Sequence, residues 1–153
     1  MVRAINTLWQ KVAKLLDGLG PIADLGARLY IANVFIRSGL AKYRDWDTTM
    51  FLFEEEYSVP LLSPEIAAVL ATTGELLLPV LLVLGLFTRF SALGLFILNI
   101  VAVVAYYSEL ASSPAAIHDH LEWGIILALI MVSHVRLLTL DRLVVGKLLK
   151  SSQ

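Results

Sequence analysis

The sequence predicts an all-α membrane protein: a four-helix transmembrane bundle with amphipathic interfacial helices at its N-terminal and C-terminal ends. The first observation is composition. Apolar residues make up 58% of the 153 residues and the mean hydropathy is +0.78, above the roughly 45–50% apolar usage of soluble domains. The second is four apolar stretches, each near the roughly 20 residues of helix that cross the hydrocarbon core. The third is a one-sided distribution of lysine and arginine between those stretches.

The predicted spans are 24–43, 64–87, 89–110 and 120–140, within a four-helix domain over 21–145. The third span is the most uniformly apolar, with Asn99 as its main polar residue. The first is interrupted by Arg28, Asn33, Arg37 and Lys42. Such a helix is expensive to expose to lipid, so its polar side is expected to face the other helices.

Both flanking segments are predicted to be amphipathic. Residues 1–20 carry a helical apolar stripe with Arg3, Lys11 and Lys14 off the stripe, which is typical of a helix lying in the membrane interface. Gly18, Gly20 and Pro21 are expected to break this helix before the first span. Residues 136–150 are expected to run along the same interface, and their end overlaps a short cytoplasmic tail predicted over 146–153. The connection 44–63 is expected to form a short helix or re-entrant flap on the opposite surface.

The distribution of basic residues predicts the orientation of the spans. One side holds eight, and they are Arg3, Lys11, Lys14, Arg89, Arg136, Arg142, Lys147 and Lys150. The other side holds two, Lys42 and Arg44. Both termini are therefore expected to be cytoplasmic.

Composition also argues against several function classes. A net charge of −1 provides no basic field to hold nucleic acid. The chain contains no cysteine, which removes disulfides, thiolate metal sites and thiol redox chemistry. Phosphate-binding loops, dinucleotide fingerprints and nucleophile elbows are not found either.

The main candidate site is a polar cluster predicted near mid-bilayer. Glu75 lies in the second span, and Pro79 leaves its backbone carbonyl without a helical donor. Arg37 is predicted to pair with Glu75, with Asn33 and Asn99 at a comparable depth. Intramembrane charges are functional by default because they are costly to insert. A buried ion pair that only fixes helix register is an equally weighted alternative.

A weaker candidate is a metal site formed by His118, His120 and Glu122 at the start of the fourth span. Imidazole and carboxylate can bind a divalent cation. A solvated helix start capped by Asp119 is the favoured interpretation of the same residues.

Several segments together resemble the DoxX family of bacterial membrane proteins. The resemblance covers about residues 24–145 and rests on the first span (Arg28-Leu-Tyr, then Phe35 to Lys42), Val59-Pro60-Leu-Leu, Gly74-Glu75, and Leu84-Gly85-Leu-Phe-Thr88-Arg89. It implies a four-helix protein of the bacterial inner membrane. It also implies Arg37, Lys42, Glu75 and Arg89 as characteristic positions.

The resemblance implies a membrane subunit of a quinone-linked electron-transfer or redox-stress complex, at most an accessory oxidoreductase subunit. The candidate partners are the lipid bilayer, a partner oxidoreductase subunit and a second copy of the chain. Because the chain has no cysteine, a redox role needs an external cofactor, for which a quinone is the candidate. The alternatives are a non-enzymatic scaffold or hydrophobic-ligand-binding protein and, less favoured given the charge bias, a proton-coupled small exporter. A four-helix membrane enzyme of the glutathione-transferase kind fits the size but lacks a clear basic site.

Overall fold

The computed structural model describes residues 2–133 and 138–141, and every regular element in those ranges is helical. The helices are α1 (Val2–Arg44), α2 (Trp46–Glu55), α3 (Pro64–Leu84), α4 (Thr88–Ala105), α5 (Tyr107–Leu110) and α6 (Pro114–Val132). Four of them are long and apolar enough to cross a membrane, α1 through its segment Ile5–Arg44 together with α3, α4 and α6. The predicted all-α membrane bundle is confirmed, and the chain is a multi-pass membrane protein.

α1 is one continuous helix, so the predicted break at residues 18–21 is wrong. Pro21 lies inside the helix, and helical structure continues through both neighbouring glycines. A proline removes one backbone donor and crowds the preceding turn, but here it does not end the helix. With 43 residues, α1 is about 64 Å long at 1.5 Å per residue, roughly twice what one span requires.

The bounds of three predicted spans also change. α3 ends at Leu84 because Gly85 adopts the left-handed conformation (φ 64°) and its N–H bonds back to the last turn, a common helix ending. α4 ends at Ala105 and not at 110. α6 covers Pro114–Val132 and not 120–140, since Pro114 occupies its first turn and Ser133 leaves the helical conformation.

The short helix predicted between the first two spans is confirmed as α2. Asp45 caps its start by accepting a hydrogen bond from the Thr48 N–H at 3.1 Å. Phe53 packs with Ala67 and Ala68 in the first turns of α3. We call this end of the bundle, where α1 ends and α2 lies, the α2 end. We call the opposite end, which contains the turn between α3 and α4, the turn end.

The main core lies between α1, α3, α4 and α6. Its buried members are Ile31, Phe35, Leu82, Ala92, Leu95, Leu127 and Ile130. α1 packs most extensively against α3, and α4 against α6. Two helix pairs therefore form the bundle, and the α1–α3 pair carries most of the candidate site.

Residues 138–141 pack against the turn end, where Arg28 of α1 is fully buried. The Arg28 guanidinium donates to the carbonyls of Leu82 and Val83 at 3.3 Å each and to that of Leu138 at 2.9 Å. Its Nε forms an ion pair with Asp24 at 3.0 Å, at an angle unsuited to a hydrogen bond. We call Arg28 and residues 138–141 the clasp.

Asp141 forms the other half of the clasp. Its carboxylate accepts hydrogen bonds from the backbone N–H groups of Phe87 and Thr88 and from the Thr88 hydroxyl, at 2.7–2.9 Å. Asp141 thus caps α4 from a distant part of the chain, because Phe87 itself supplies no capping side chain. Most of the interfacial helix predicted over 136–150 lies outside the described residues.

Candidate functional site

The central polar contact of the α1–α3 pair joins Lys42 to Glu75. The Lys42 ammonium lies 2.7 Å and 3.0 Å from the two carboxylate oxygens of Glu75, and it also donates to the Ser38 hydroxyl at 2.8 Å. The two side chains are only 18% and 11% exposed. All three ammonium protons are used, whereas each carboxylate oxygen retains acceptor capacity.

The predicted Arg37–Glu75 pair is therefore wrong, and helix geometry gives the reason. Gly39 faces Glu75 so closely that a Cβ on Gly39 would lie 3.0 Å from the Glu75 Cβ. Ser38 and Lys42, one turn apart, flank that contact. Arg37 is five residues before Lys42, which is roughly 140° away around a helix with 3.6 residues per turn.

The other predicted α1 residue and Arg89 are also separated from Glu75. Asn33 and Arg37 share one face of α1, as predicted, but that face is exposed. Arg89 is exposed in the first turn of α4, at the turn end, whereas Glu75 lies near the middle of α3. Of the predicted binding residues, only Lys42 and Glu75 meet.

Asn99 is buried and joins α4 to α6. Its amide donates to the backbone carbonyl of His120 at 2.9 Å, and its oxygen lies 2.8 Å from the His120 Nδ1. Because the amide nitrogen is committed as a donor, Nδ1 is the protonated nitrogen that donates to the oxygen. The His120 ring packs edge-on against Trp123, so Asn99 and His120 lock two helices together.

The weak metal candidates are not gathered into a site. In the described ranges 2–133 and 138–141, no group of three or more histidine, aspartate or glutamate residues is arranged to hold a metal ion. His118 is exposed, while Glu122 accepts a hydrogen bond from Tyr30 at 3.0 Å. Asp119 does not cap α6, because the helix already begins at Pro114.

An open groove of about 670 Å³ lies on the outside of the α1–α3 pair beside the Lys42–Glu75 contact. The groove is lined by Tyr43, Trp46, Val69, Thr72, Thr73, Leu76 and Leu77. Tyr43 and Leu76 directly follow Lys42 and Glu75 in the chain. Its volume falls within the roughly 300–1,000 Å³ of small-molecule sites, and its lining is mostly apolar with two aromatic rings.

Thr72 provides an unusual polar group in this groove. The residue is buried, yet its hydroxyl has no hydrogen-bond partner among the described residues. Leaving a buried hydroxyl unpaired typically costs about 1–3 kcal/mol. Thr72 and Glu75 are three residues apart and so lie on neighbouring positions of one helix face. The wall of the groove thus contains a hydroxyl that is shielded from solvent and that no other described residue uses.

Tyr57 closes the α2 end near the same region. Its ring packs edge-on against Phe53 and Tyr106, each at 4.8 Å between centroids. Burial, followed by the nearby Tyr106, Glu56 and Glu75, raises the pKa of Tyr57 above its usual value. The phenol therefore stays protonated and remains a hydrogen-bond donor at neutral pH.

Sequence reasoning missed Thr72, Trp46 and the role of Arg28. Arg28 had a usable signal, because an arginine within a span needs partners. Thr72 had none, since a threonine hydroxyl in a helix usually bonds to its own backbone. Trp46 lies in the segment predicted to form a flap. The sequence could not place it beside Thr72, because that proximity depends on how α2 folds back against α3.

Comparison with known proteins identifies the family. Residues 23–108, more than half of the chain, match the family model named DoxX. The match includes the second half of α1, with Lys42, and α3, with Glu75, and it ends before α6. No curated protein and no solved structure matches the chain. On the family match, this multi-pass membrane protein belongs to the DoxX family.

Proposed function

We propose that the protein is a membrane subunit of a quinone-linked redox system and that it binds a quinone-class compound in the groove beside Lys42 and Glu75. The observation that carries the proposal is the Thr72 hydroxyl, which has no hydrogen-bond partner within residues 2–133 and 138–141, in the wall of a groove of suitable size. A lipid-soluble ring compound with carbonyl oxygens matches such a site. On binding, the Thr72 side chain rotates toward the groove, so that its hydroxyl donates to a quinone oxygen, and the ring packs against Trp46 and Tyr43.

The position of the groove favours a ligand that arrives through the lipid. Val69 and Leu77 line it and are about half exposed on a helix long enough to span the membrane. In a bilayer this exposed surface faces acyl chains. An apolar tail can therefore remain in lipid while the ring occupies the groove.

The Lys42–Glu75 pair supplies the proton chemistry in this proposal. Reduction of a quinone to a hydroquinone takes up two electrons and two protons. A partner oxidoreductase provides the electrons, because the chain has no cysteine to provide them. Glu75, whose oxygens retain acceptor capacity, takes up one proton at a time from water at the α2 end and transfers the two protons in succession, one to each quinone oxygen.

Photolabelling tests the site directly. An azidoquinone irradiated in membranes containing the protein is expected to label peptides from the end of α1, from α2 and from α3. Excess unlabelled quinone should suppress that labelling. Labelling that resists competition, or that falls mainly on α4 and α6, would contradict the proposal.

A matched pair of variants sharpens the test. Leu77→Trp fills the groove and should abolish competed labelling. Ile97→Trp places the same ring on the exposed face of α4, where residue 97 is as exposed as residue 77, and should leave labelling unchanged. Equal loss in both variants would point to a general effect on membrane insertion.

The proposed orientation places the α2 end outside a bacterial inner membrane and both termini in the cytoplasm. The basis is the eight-to-two distribution of basic residues and the positive-inside rule. A reporter after Gln153 should be active only in the cytoplasm, and one near Glu55 only outside. The reverse pattern would overturn the orientation.

A scaffold without a ligand is the second candidate function. It is favoured by the fully used ammonium group of Lys42, which makes the ion pair self-contained. Glu75→Gln separates the two candidates, because glutamine keeps the shape and accepts hydrogen bonds but cannot titrate. Complementation of a deletion phenotype at normal abundance supports the scaffold, whereas lost activity at normal abundance supports proton transfer.

A further inference from the structure

The N-terminal half of α1 extends beyond the turn end of the bundle. Arg28 already contacts the final turn of α3 through Leu82 and Val83, so little of the described bundle lies beside the twenty or so residues that precede it. The apolar residues there are Ile5, Leu8, Trp9, Val12, Leu15, Leu16, Leu19 and Ile22, and they are 39–67% exposed. This surface needs a covering partner.

The continuity of α1 argues against covering by the membrane surface. A helix that crosses the bilayer and then lies flat on it has to bend sharply, and sharp bends require a break in helical hydrogen bonding or a strong kink. Helical structure continues without a gap from Val2 to Arg44. Pro21 lies inside this helix and is a position at which helices kink. Because helical structure is unbroken on both sides of it, a kink there does not turn the axis through the right angle that a flat position needs, and the N-terminal half leaves the bilayer as a helical extension of the span.

The apolar residues follow the seven-residue repeat of a two-stranded coiled coil. Ile5, Val12 and Leu19 occupy the a positions, and the d positions are occupied by Leu8, Leu15 and Ile22. β-Branched residues at a with leucine at d favour parallel dimers, and this chain has that combination in its first two repeats.

Charge does not oppose the pairing. The e and g positions that face each other across a parallel pair carry Lys11 against Leu16 and Gly18 against Ala23, so no like charges meet. Arg3, Lys14 and Asp17 lie at c and f positions, away from the seam.

From this surface we infer that two copies of the chain pair through a parallel coiled coil formed by residues 5–22 of α1. Fewer than three repeats are weak in isolation. Anchoring both helices in one membrane raises their effective concentration and fixes their parallel orientation. The inference is independent of any ligand in the groove.

Cysteine cross-linking tests the dimer, since the natural chain has no cysteine to interfere. Val12→Cys and Leu15→Cys place a thiol at an a and a d position. Gln10→Cys and Asp17→Cys, at f positions on the opposite side, are the matched controls. Mild oxidation of membranes containing the full-length protein should convert the two seam variants into disulfide-linked dimers and leave the controls at least tenfold less cross-linked.

The outcomes separate the alternatives. Equal cross-linking at all four positions indicates random collision and overturns the inference. No cross-linking at either seam position, with normal abundance, also overturns it, as expected if lipid or another protein covers the stripe. Adding Leu8→Asp to the Leu15→Cys variant should lower dimer formation severalfold, and an unchanged yield would contradict the seam.

Discussion

The two polar regions of the bundle differ in how completely their hydrogen bonds are used. In the clasp, Arg28 is fully buried and contacts three carbonyls and Asp24, while Asp141 accepts three hydrogen bonds. Beside the groove, Glu75 retains acceptor capacity, and the hydroxyl of Thr72 has no partner in the part of the chain that the structure describes.

This difference distinguishes polar groups whose hydrogen bonds hold the fold together from polar groups that can still bind a ligand. Arg28 bonds to the carbonyls of Leu82 and Val83 at the end of α3, which carry the negative end of the helix dipole; the Leu82 carbonyl also accepts from the Gly85 N–H. The contacts of its guanidinium hold α1, α3 and residues 138–141 together. Burial of charge alone would have selected Arg28 as the functional residue. The residues around Glu75 are the better candidate site, because they lie beside an open groove and retain hydrogen-bonding capacity.

The largest expected effect is on the clasp. Arg28→Leu removes the cationic partner of Asp24 and one donor from each of three carbonyls, and it should lower the free energy of unfolding by about 3–5 kcal/mol, the range for breaking a buried pair. Arg37→Leu, an exposed arginine on the same helix, is the control and should change it by less than about 0.5 kcal/mol. Thermal unfolding in detergent compares the two, and equal losses would refute the distinction.

A smaller effect is expected from Lys42 and Glu75, which are partly exposed. Lys42→Leu and Glu75→Leu should each cost about 2–3 kcal/mol, and the double variant should recover much of the sum because neither charge is left alone. Arg37→Leu combined with Glu75→Leu should be additive. Additivity for Lys42 with Glu75 would mean that their contact contributes nothing.

Two buried threonines provide the sharpest comparison. Thr88→Val removes a hydrogen bond to Asp141 and should cost about 1 kcal/mol of unfolding free energy. Thr72→Val removes no bond and should be neutral or slightly stabilising, yet it should weaken quinone binding about fivefold to tenfold, the equivalent of about 1–1.4 kcal/mol. Unaltered binding in Thr72→Val would remove the hydroxyl from the proposed site.

The smallest effect concerns the start of α2. Hydrogen bonds from Thr48 lower the pKa of Asp45 below its usual value, so the folded form favours the carboxylate. The stabilisation is present above the unfolded-state pKa of about 3.9 and is lost as the pH falls below it through the lowered folded pKa. The difference in melting temperature between wild type and Asp45→Asn should therefore shrink below about pH 4. Asp47→Asn controls for loss of a negative charge in the same turn, and an identical profile would contradict capping.

The sequence by itself determined the membrane class, the number of spans and the short helix α2. These depend on local composition and length, which the lipid environment converts directly into helices. Lys42, Glu75 and Asn99 were also identified from the sequence, because polar residues in apolar spans are few.

Only the tertiary structure decided how these residues pair. Choosing Lys42 over Arg37 depends on which face of α1 meets α3, and the close contact at Gly39 sets that face. The cap on α4 comes from Asp141, more than fifty residues away in the chain. The groove at Thr72 exists because α2 folds back beside α3. Contacts between distant segments depend on helix rotation and relative depth, and local hydrophobic pattern specifies neither closely enough to pair individual side chains.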